Sequence, residues 1–293
     1  MNGRASGRAE AKINLGLRIL GRRDDGFHDI RSIFHSISLA DEIDIALSDS
    51  GGVSISVEGG GGLVPADGTN LACRAAAAFM DRAGLSGGVS IRILKRIPAG
   101  GGLGGGSSDA ACTLRLMRDI TGLDPGLFEI ASSLGSDVPF LLTGGAALVE
   151  GRGERITRIE AGDFHVLILD PGVHSSTAQA YADWDMRHPG LTIRHSRCDL
   201  PTPELAWHEG RPSPVSLCND FLPLLVERFP AMAETADRLD ACASIWGLSG
   251  SGSCFYALFR SAHEAESLEA SVPRRFSPVL CRATCSAGVS SNW

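Results

Sequence analysis

The chain has 293 residues, 43% hydrophobic and 21% charged, with a formal net charge of −7. That length carries a large core and predicts two domains, and the composition is that of an ordinary soluble globular protein. With no long basic run, few aromatics and no stretch near the roughly 18 apolar residues that cross a bilayer, neither nucleic acid nor membrane is an expected partner.

The opening MNGRASGRAEAKINL lacks an apolar signal segment, so the cytoplasm is the expected compartment. AKINLGLRIL then alternates, with Ile13, Leu15, Leu17 and Ile19 on one face and Lys12, Asn14, Gly16 and Arg18 on the other, which predicts a half-buried strand. GRRDDGFHDI is a turn, RSIFHSISLADEIDIAL resumes strand character, and VSISVEG and VSIRILKRI are two further strands. Between those two, TNLACRAAAAFMDRAG predicts a helix capped by Asn70 and ended by Gly84. A helix is expected from Ser107 to Ile120, and another after Asp124-Pro125 that stops at Gly135. VPFLLTGGAALVEGRGERI predicts two short strands around a Gly-Gly turn, with the proline holding Val138 extended. After a break near Gly162, FHVLILD is a fresh buried strand, and residues 187 to 213 are rich in Pro, His and charge, as in a surface excursion. FLPLLVERFPAMAETADRL is helical in pattern, and SIWGLSGSGSCFYALF precedes a final helix–strand pair, the SGSGS stretch starting a strand. Strands grouped ahead of helices favour an α+β fold over a doubly wound sheet. The eight cysteines form no C-x-x-C pair and no zinc set, and are read as reduced, mostly buried thiols.

Six of the seven residues from Gly100 to Gly106 are glycine, in PAGGGLGGGSSDAA. Glycine gives up backbone order, so the backbone there must approach something closely. A Walker A loop needs lysine where Ser107 stands, and a protein-kinase loop needs valine there. A Rossmann fingerprint belongs in the first strand–helix turn, yet two strands and a helix precede this one. What is left is a run of amides leading into a helix whose first turn offers Ser107, Ser108 and Asp109, a place for an anion. The plainer alternative is a glycine linker followed by a serine cap.

Four segments in order, AEAKINLGLRILGRRDDGFHDIRSIFHSISLADEIDI, IPAGGGLGGGSSDAACTLRLM, LGSDVPFLLTGGAALVEGRGE and GLSGSGSCFYALF, resemble the GHMP kinases, the superfamily of galactokinase, homoserine kinase and mevalonate kinase. Within it, AKINLGLRILGRRDDGFHDI is similar to the 4-diphosphocytidyl-2-C-methyl-D-erythritol kinase family. The resemblance implies a two-domain α+β fold with the active site in the cleft between an ATP-binding part, 1–161, and a C-terminal part, 162–293. It implies transfer of the γ-phosphate of ATP to the 2-hydroxyl of the methylerythritol moiety, with Mg²⁺, in the non-mevalonate isoprenoid pathway. The partner is a small molecule, and the chain is expected to be a monomer or weak homodimer.

Carried over residue by residue, Asp137 is the base that takes the hydroxyl proton, and Lys12 pairs with it beside Asn14. Phe27 stacks on cytosine, His28 reads the base edge, and Tyr181 covers the other side. Pro98, Ala99, Gly100, Gly101, Gly102, Leu103, Gly104, Gly105, Gly106, Ser107 and Ser108 surround the triphosphate, the two serines also being possible Mg²⁺ contacts. Asn70, Leu71 and Lys95 are expected on the adenosine side, and Ser249, Gly250, Ser251 and Gly252 near the substrate phosphates. Two residues depart from the pattern: Phe27 stands where tyrosine is usual, and Asp109 where asparagine is usual. The Asp109 carboxylate is expected to turn away from the phosphates or to face the metal. The GFHDI turn argues against a homoserine or mevalonate kinase, and Lys12 with Asp137 argues against a nucleotide-binding regulator without catalysis.

Overall fold

Strand β1, Arg4–Arg22, and strand β2, His28–Ser48, form a long antiparallel hairpin closed by the DDGF turn. They belong to a computed structural model that describes residues 3–49, 51–160, 162–189 and 215–284. Around the hairpin, β3 (Gly52–Glu58), β4 (Gly88–Leu94), β5 (Ala146–Gly151) and β6 (Arg155–Arg158) complete a sheet of order β3-β4-β2-β5-β6, with β1 paired to β2. The second sheet, β11-β7-β10-β9-β8, is built from β7 (His165–Leu169), β8 (Val215–Ser216), β9 (Ile245–Leu248), β10 (Phe255–Phe259) and β11 (Val279–Arg282).

Helices α1 (Leu71–Ala83), α2 (Gly105–Thr121), α3 (Leu127–Leu134) and α4 (Val138–Thr143) close one core over the first sheet, around Phe34, Phe79, Leu114, Met117 and Phe140. Helices α5 (Thr177–Arg187), α6 (Leu222–Arg228), α7 (Pro230–Cys242) and α8 (Ala262–Ser271) accompany the second sheet, whose core gathers Trp184, Phe221, Leu239 and Phe255. A third cluster joins the sheets: Ile13 and Leu15 of β1 pack with Val166, Ile168 and Tyr256.

That third cluster corrects the reading of β1. Residues 11–17 are buried without interruption, because the second sheet covers the apolar face while the glycine-rich loop covers Lys12 and Asn14. The expected caps of α1 are present: the Asn70 side chain accepts from the Ala72 amide, and Gly84 takes the left-handed conformation at φ 63°. Helix α2 starts two residues before Ser107, inside the glycine run, with Gly104 as its cap. VPFLLT is helix α4 and not a strand. Pro139 lies in its first turn, where a missing N–H leaves no bond unmade, so Val138 is helical rather than extended. FLPLLVERFPAMAETADRL breaks at Phe229 into α6 and α7, each with proline in its first turn. SGSGS connects β9 to β10 and does not begin a strand. Of the expected surface excursion, 190–213 lies outside the described residues. Four of the six described cysteines are buried, and all six are free thiols.

Candidate active site

A cavity of about 850 Å³ lies where β1, the glycine-rich loop, the start of α4 and helix α5 converge. Lys12 is its buried cation. Its Nζ donates to Asn14 Oδ1 at 2.6 Å and to the Gly102 carbonyl at 2.9 Å, and stands 3.5 Å from Asp137 Oδ2. An interior ammonium is tolerated only when its charge and protons are met, and three oxygens meet them here. Asn14 is itself fixed: its Nδ2 donates to Ser32 Oγ at 2.9 Å, and its carbonyl accepts from the Tyr256 hydroxyl at 2.7 Å. Asp137, just ahead of α4, keeps a partly exposed carboxylate on the cavity wall.

The glycine-rich loop is tied down by protein on its far side. The Gly102 carbonyl also accepts from Ser249 Oγ at 2.9 Å, the Leu103 carbonyl from the Lys12 amide, and the Gly101 carbonyl from the Cys254 amide. A Cβ at Gly102, where φ is +75°, would stand 2.0 Å from the Ser249 carbonyl oxygen. Gly104, left-handed at φ 73°, turns the chain into α2, and Ser108 is the first residue to bond back along the helix, 2.8 Å to Gly104 O. The amides of Gly105, Gly106 and Ser107 therefore have no acceptor in the helix, and all three residues line the cavity. Free amides and the positive end of a 17-residue helix make an anion site.

Not every expected residue reaches the cavity. Gly100, Gly102, Gly104, Gly105, Gly106, Ser107, Leu71, Gly250 and Ser251 line it; Pro98, Ala99, Gly101, Leu103, Ser249 and Gly252 do not. Ser108 Oγ is turned to the Glu10 carbonyl at 2.6 Å, leaving Ser107 as the serine at the cavity. Asn70 is occupied as a cap, its Nδ2 donating to the Pro65 carbonyl. Lys95 is clamped between two buried carboxylates, Asp41 Oδ2 at 2.5 Å and Asp109 Oδ2 at 2.7 Å. Of the two orientations expected for Asp109, the structure has the one turned away. Burial pushes the Asp109 carboxyl up to about 7; Lys95 draws it down and Asp41 pushes it further up. For Lys95 burial acts to lower the ammonium, but the two carboxylates prevail and the net direction is upward.

Also lining the cavity, the half-exposed Phe27 ring lies under the Arg152 guanidinium, 4.5 Å from its centroid. His28 is buried, its ring stacked on Tyr181 at 4.5 Å, and its Nε2 is 2.7 Å from Asp185 Oδ1. The sequence reading missed Arg22, Ser136, Arg152, Thr177 and Asp185, all of which line the cavity. A signal existed for Asp185, which follows Tyr181 by four residues on α5 and so shares its face. Arg152 carries no such signal, since the β5–β6 turn alone brings it to Phe27.

The description "GHMP kinases N terminal domain" matches residues 70–145, the stretch from the cap of α1 through the glycine-rich loop and Asp137. The 4-diphosphocytidyl-2-C-methyl-D-erythritol kinase of Solibacter usitatus is 42% identical over 260 residues, covering 86% of this chain and 80% of its own. That of Chlorobium phaeobacteroides is 38% identical over 265 residues, 88% of this chain and 90% of its own. The chain belongs to the 4-diphosphocytidyl-2-C-methyl-D-erythritol kinase family. It is an α+β kinase of GHMP fold. A crystal structure of 4-(cytidine 5'-diphospho)-2C-methyl-D-erythritol kinase superposes with a TM-score of 0.80 at 31% identity, covering 95% of this kinase and 99% of that chain. The homoserine kinase of Cytophaga hutchinsonii shares the fold at TM-score 0.64 and 18% identity, covering 98% of this kinase and 96% of that chain.

Proposed function

We propose that this kinase transfers the γ-phosphate of ATP to the 2-hydroxyl of 4-diphosphocytidyl-2-C-methyl-D-erythritol, giving the 2-phosphate and ADP in the non-mevalonate route to isoprenoids. The observation that carries this reading is the Lys12–Asp137 pair sharing one cavity with the first turn of α2 and with Phe27, His28 and Tyr181. The amides of Gly105, Gly106 and Ser107 hold the triphosphate. Asp137 accepts the proton of the attacking hydroxyl, a role worth about 10²–10⁴-fold. Lys12, fixed by Asn14 and the Gly102 carbonyl, orients Asp137 and offsets charge on the transferring group. The cytosine meets Phe27 and the edge of His28. Ser107 is a hydroxyl suited to a hard, oxygen-seeking Mg²⁺ that arrives with the triphosphate and neutralises its charge. The ATP-holding part is assigned to residues 1–161, and the described residues of 162–293 supply the facing wall of the cleft through Thr177, Tyr181, Asp185 and Ser251. The compartment is the cytoplasm, where ATP is at hand; among the described residues no helix is long and apolar enough to cross a membrane.

The test is ADP formation with three acceptors offered separately: the cytidyl diphosphate substrate, mevalonate and homoserine. Turnover confined to the first is the expected result. Preference for either of the others overturns the substrate reading, and ATP binding without turnover on any of them overturns the kinase reading.

A further inference from the structure

His28 opens β2 with its imidazole held between the face of Tyr181, at 4.5 Å and 18°, and the edge of Trp184, at 5.6 Å and 86°. Nε2 lies 2.7 Å from Asp185 Oδ1, and the other oxygen of that carboxylate is 3.6 Å from Arg22 Nη1. A carboxylate balanced by an arginine offers acceptors only, so the hydrogen in this bond belongs to Nε2. A neutral imidazole has one N–H, which leaves Nδ1 as a bare acceptor. Among the described residues Nδ1 has no hydrogen-bond partner, and His28 lines the cavity.

We propose that Asp185 is a positioning residue that fixes the tautomer of His28 and thereby selects an amino-bearing pyrimidine over an oxo-bearing one. The inference rests on the cytidine reading of the substrate given above. Cytosine presents an amino group at C4, a donor for which bare Nδ1 is the complement. Uracil presents an oxygen there, which would face the Nδ1 lone pair with no hydrogen between them. Helix α5 sets Asp185 one turn beyond Tyr181, so a single helix supplies both the ring that orients His28 and the carboxylate that sets its proton. Without Asp185 the ring could carry its proton on either nitrogen and so present acceptor or donor to the base.

The experiment compares the parent with Asp185→Ala, a substitution favourable to the helix itself. kcat/KM is measured for the cytidine diphosphate substrate and for its uridine diphosphate analogue, alongside ¹⁵N spectra of histidine-labelled protein at pH 8. The His28 signal is located by its loss in His28→Gln. The parent is expected to prefer cytidine and to show His28 protonated at Nε2. In Asp185→Ala the preference should fall by at least about tenfold, carried in KM, with His28 moving toward a mixture of tautomers. An undiminished preference in the variant, or a parent His28 protonated at Nδ1, overturns the inference alone. A parent that phosphorylates neither compound overturns the cytidine reading, and the inference with it.

Discussion

Lys12 and Asp109 are both buried charges, and the difference between them is in the company they keep. Lys12 meets two neutral oxygens and one carboxylate, and the last of these faces the cavity. Replacing it with alanine removes the ammonium from Asn14 Oδ1 and from the Gly102 carbonyl, which keeps only Ser249 Oγ; kcat should fall about 10²–10³-fold, the scale of removing one preorganised donor, as read by ADP release. Asp109 shares one lysine with Asp41, so two carboxylates face a single ammonium in the interior, and Asp109 Oδ1 has no partner among the described residues. The sign of its pH dependence follows. The folded chain holds the Asp109 proton up to about 7, whereas the unfolded chain releases it near 3.8. The stability contribution is therefore full below the unfolded value and is lost as pH rises through the folded one. Asparagine carries no such charge, so Asp109→Asn should raise Tm more at pH 8 than at pH 5, by roughly 2–4 °C for each kcal/mol recovered. A gain that is equal at both pH values, or larger at pH 5, would contradict the charge count. Lys12 and Asp137 were singled out by family resemblance, since a lysine on the polar face of a strand and an aspartate after a glycine stop are by themselves more often a solvated charge and a loop cap. The sequence did not show that Lys95, expected on the adenosine side, and Asp109 are buried against each other, because Asp41 comes to them from a strand more than fifty residues away in the chain.

At the scale of elements, the glycine-rich loop was legible as a place of close approach, but its protein partner was not named. The amides of Gly105 and Gly106 have no acceptor in the helix, as the proposed phosphate site needs. Gly102 is required by protein, because its neighbour is the Ser249 carbonyl from the second sheet's loop. Gly102→Ala should destabilise the fold by about 2–3 kcal/mol in urea unfolding. At Gly106 a Cβ meets nothing nearer than Leu71 Cδ1 at 3.8 Å, and the residue is helical. Gly106→Ala should therefore leave stability unchanged or raise it by up to about 1 kcal/mol. Equal losses at the two positions would show that the loop's glycines serve conformation rather than contact. The misread element was α4: a six-residue apolar run beside a proline suits a buried strand or a buried helix equally, and only the tertiary setting decides. β1 was recognised as a strand but misjudged in depth, since alternation says which side is apolar and not whether the polar side is covered.

Over the whole molecule, the α+β fold was legible, while the mutual dependence of the two sheets was not. β1 belongs to the first sheet by pairing and to both by packing: Ile13 and Leu15 share a cluster with Tyr256, and the Leu17 amide bonds to the Cys218 carbonyl. Asp220 adds a polar tie, accepting from Arg18 and from the Ile19 amide. Residues 1–161 expressed alone would expose that cluster, so this fragment should fail to unfold cooperatively, while the full chain unfolds in one transition by circular dichroism. The same convergence puts Asp137 in one cavity with the first turn of α2 and with Phe27, His28 and Tyr181. The decisive measurement is ³¹P NMR of the product formed from ATP and the cytidyl diphosphate substrate by the parent and by Asp137→Asn. The expected product is a new phosphomonoester at the 2-position with the diphosphate intact, formed about 10²–10⁴-fold more slowly by the variant. Release of inorganic phosphate without that ester, or an Asp137→Asn rate equal to the parent's, would contradict it.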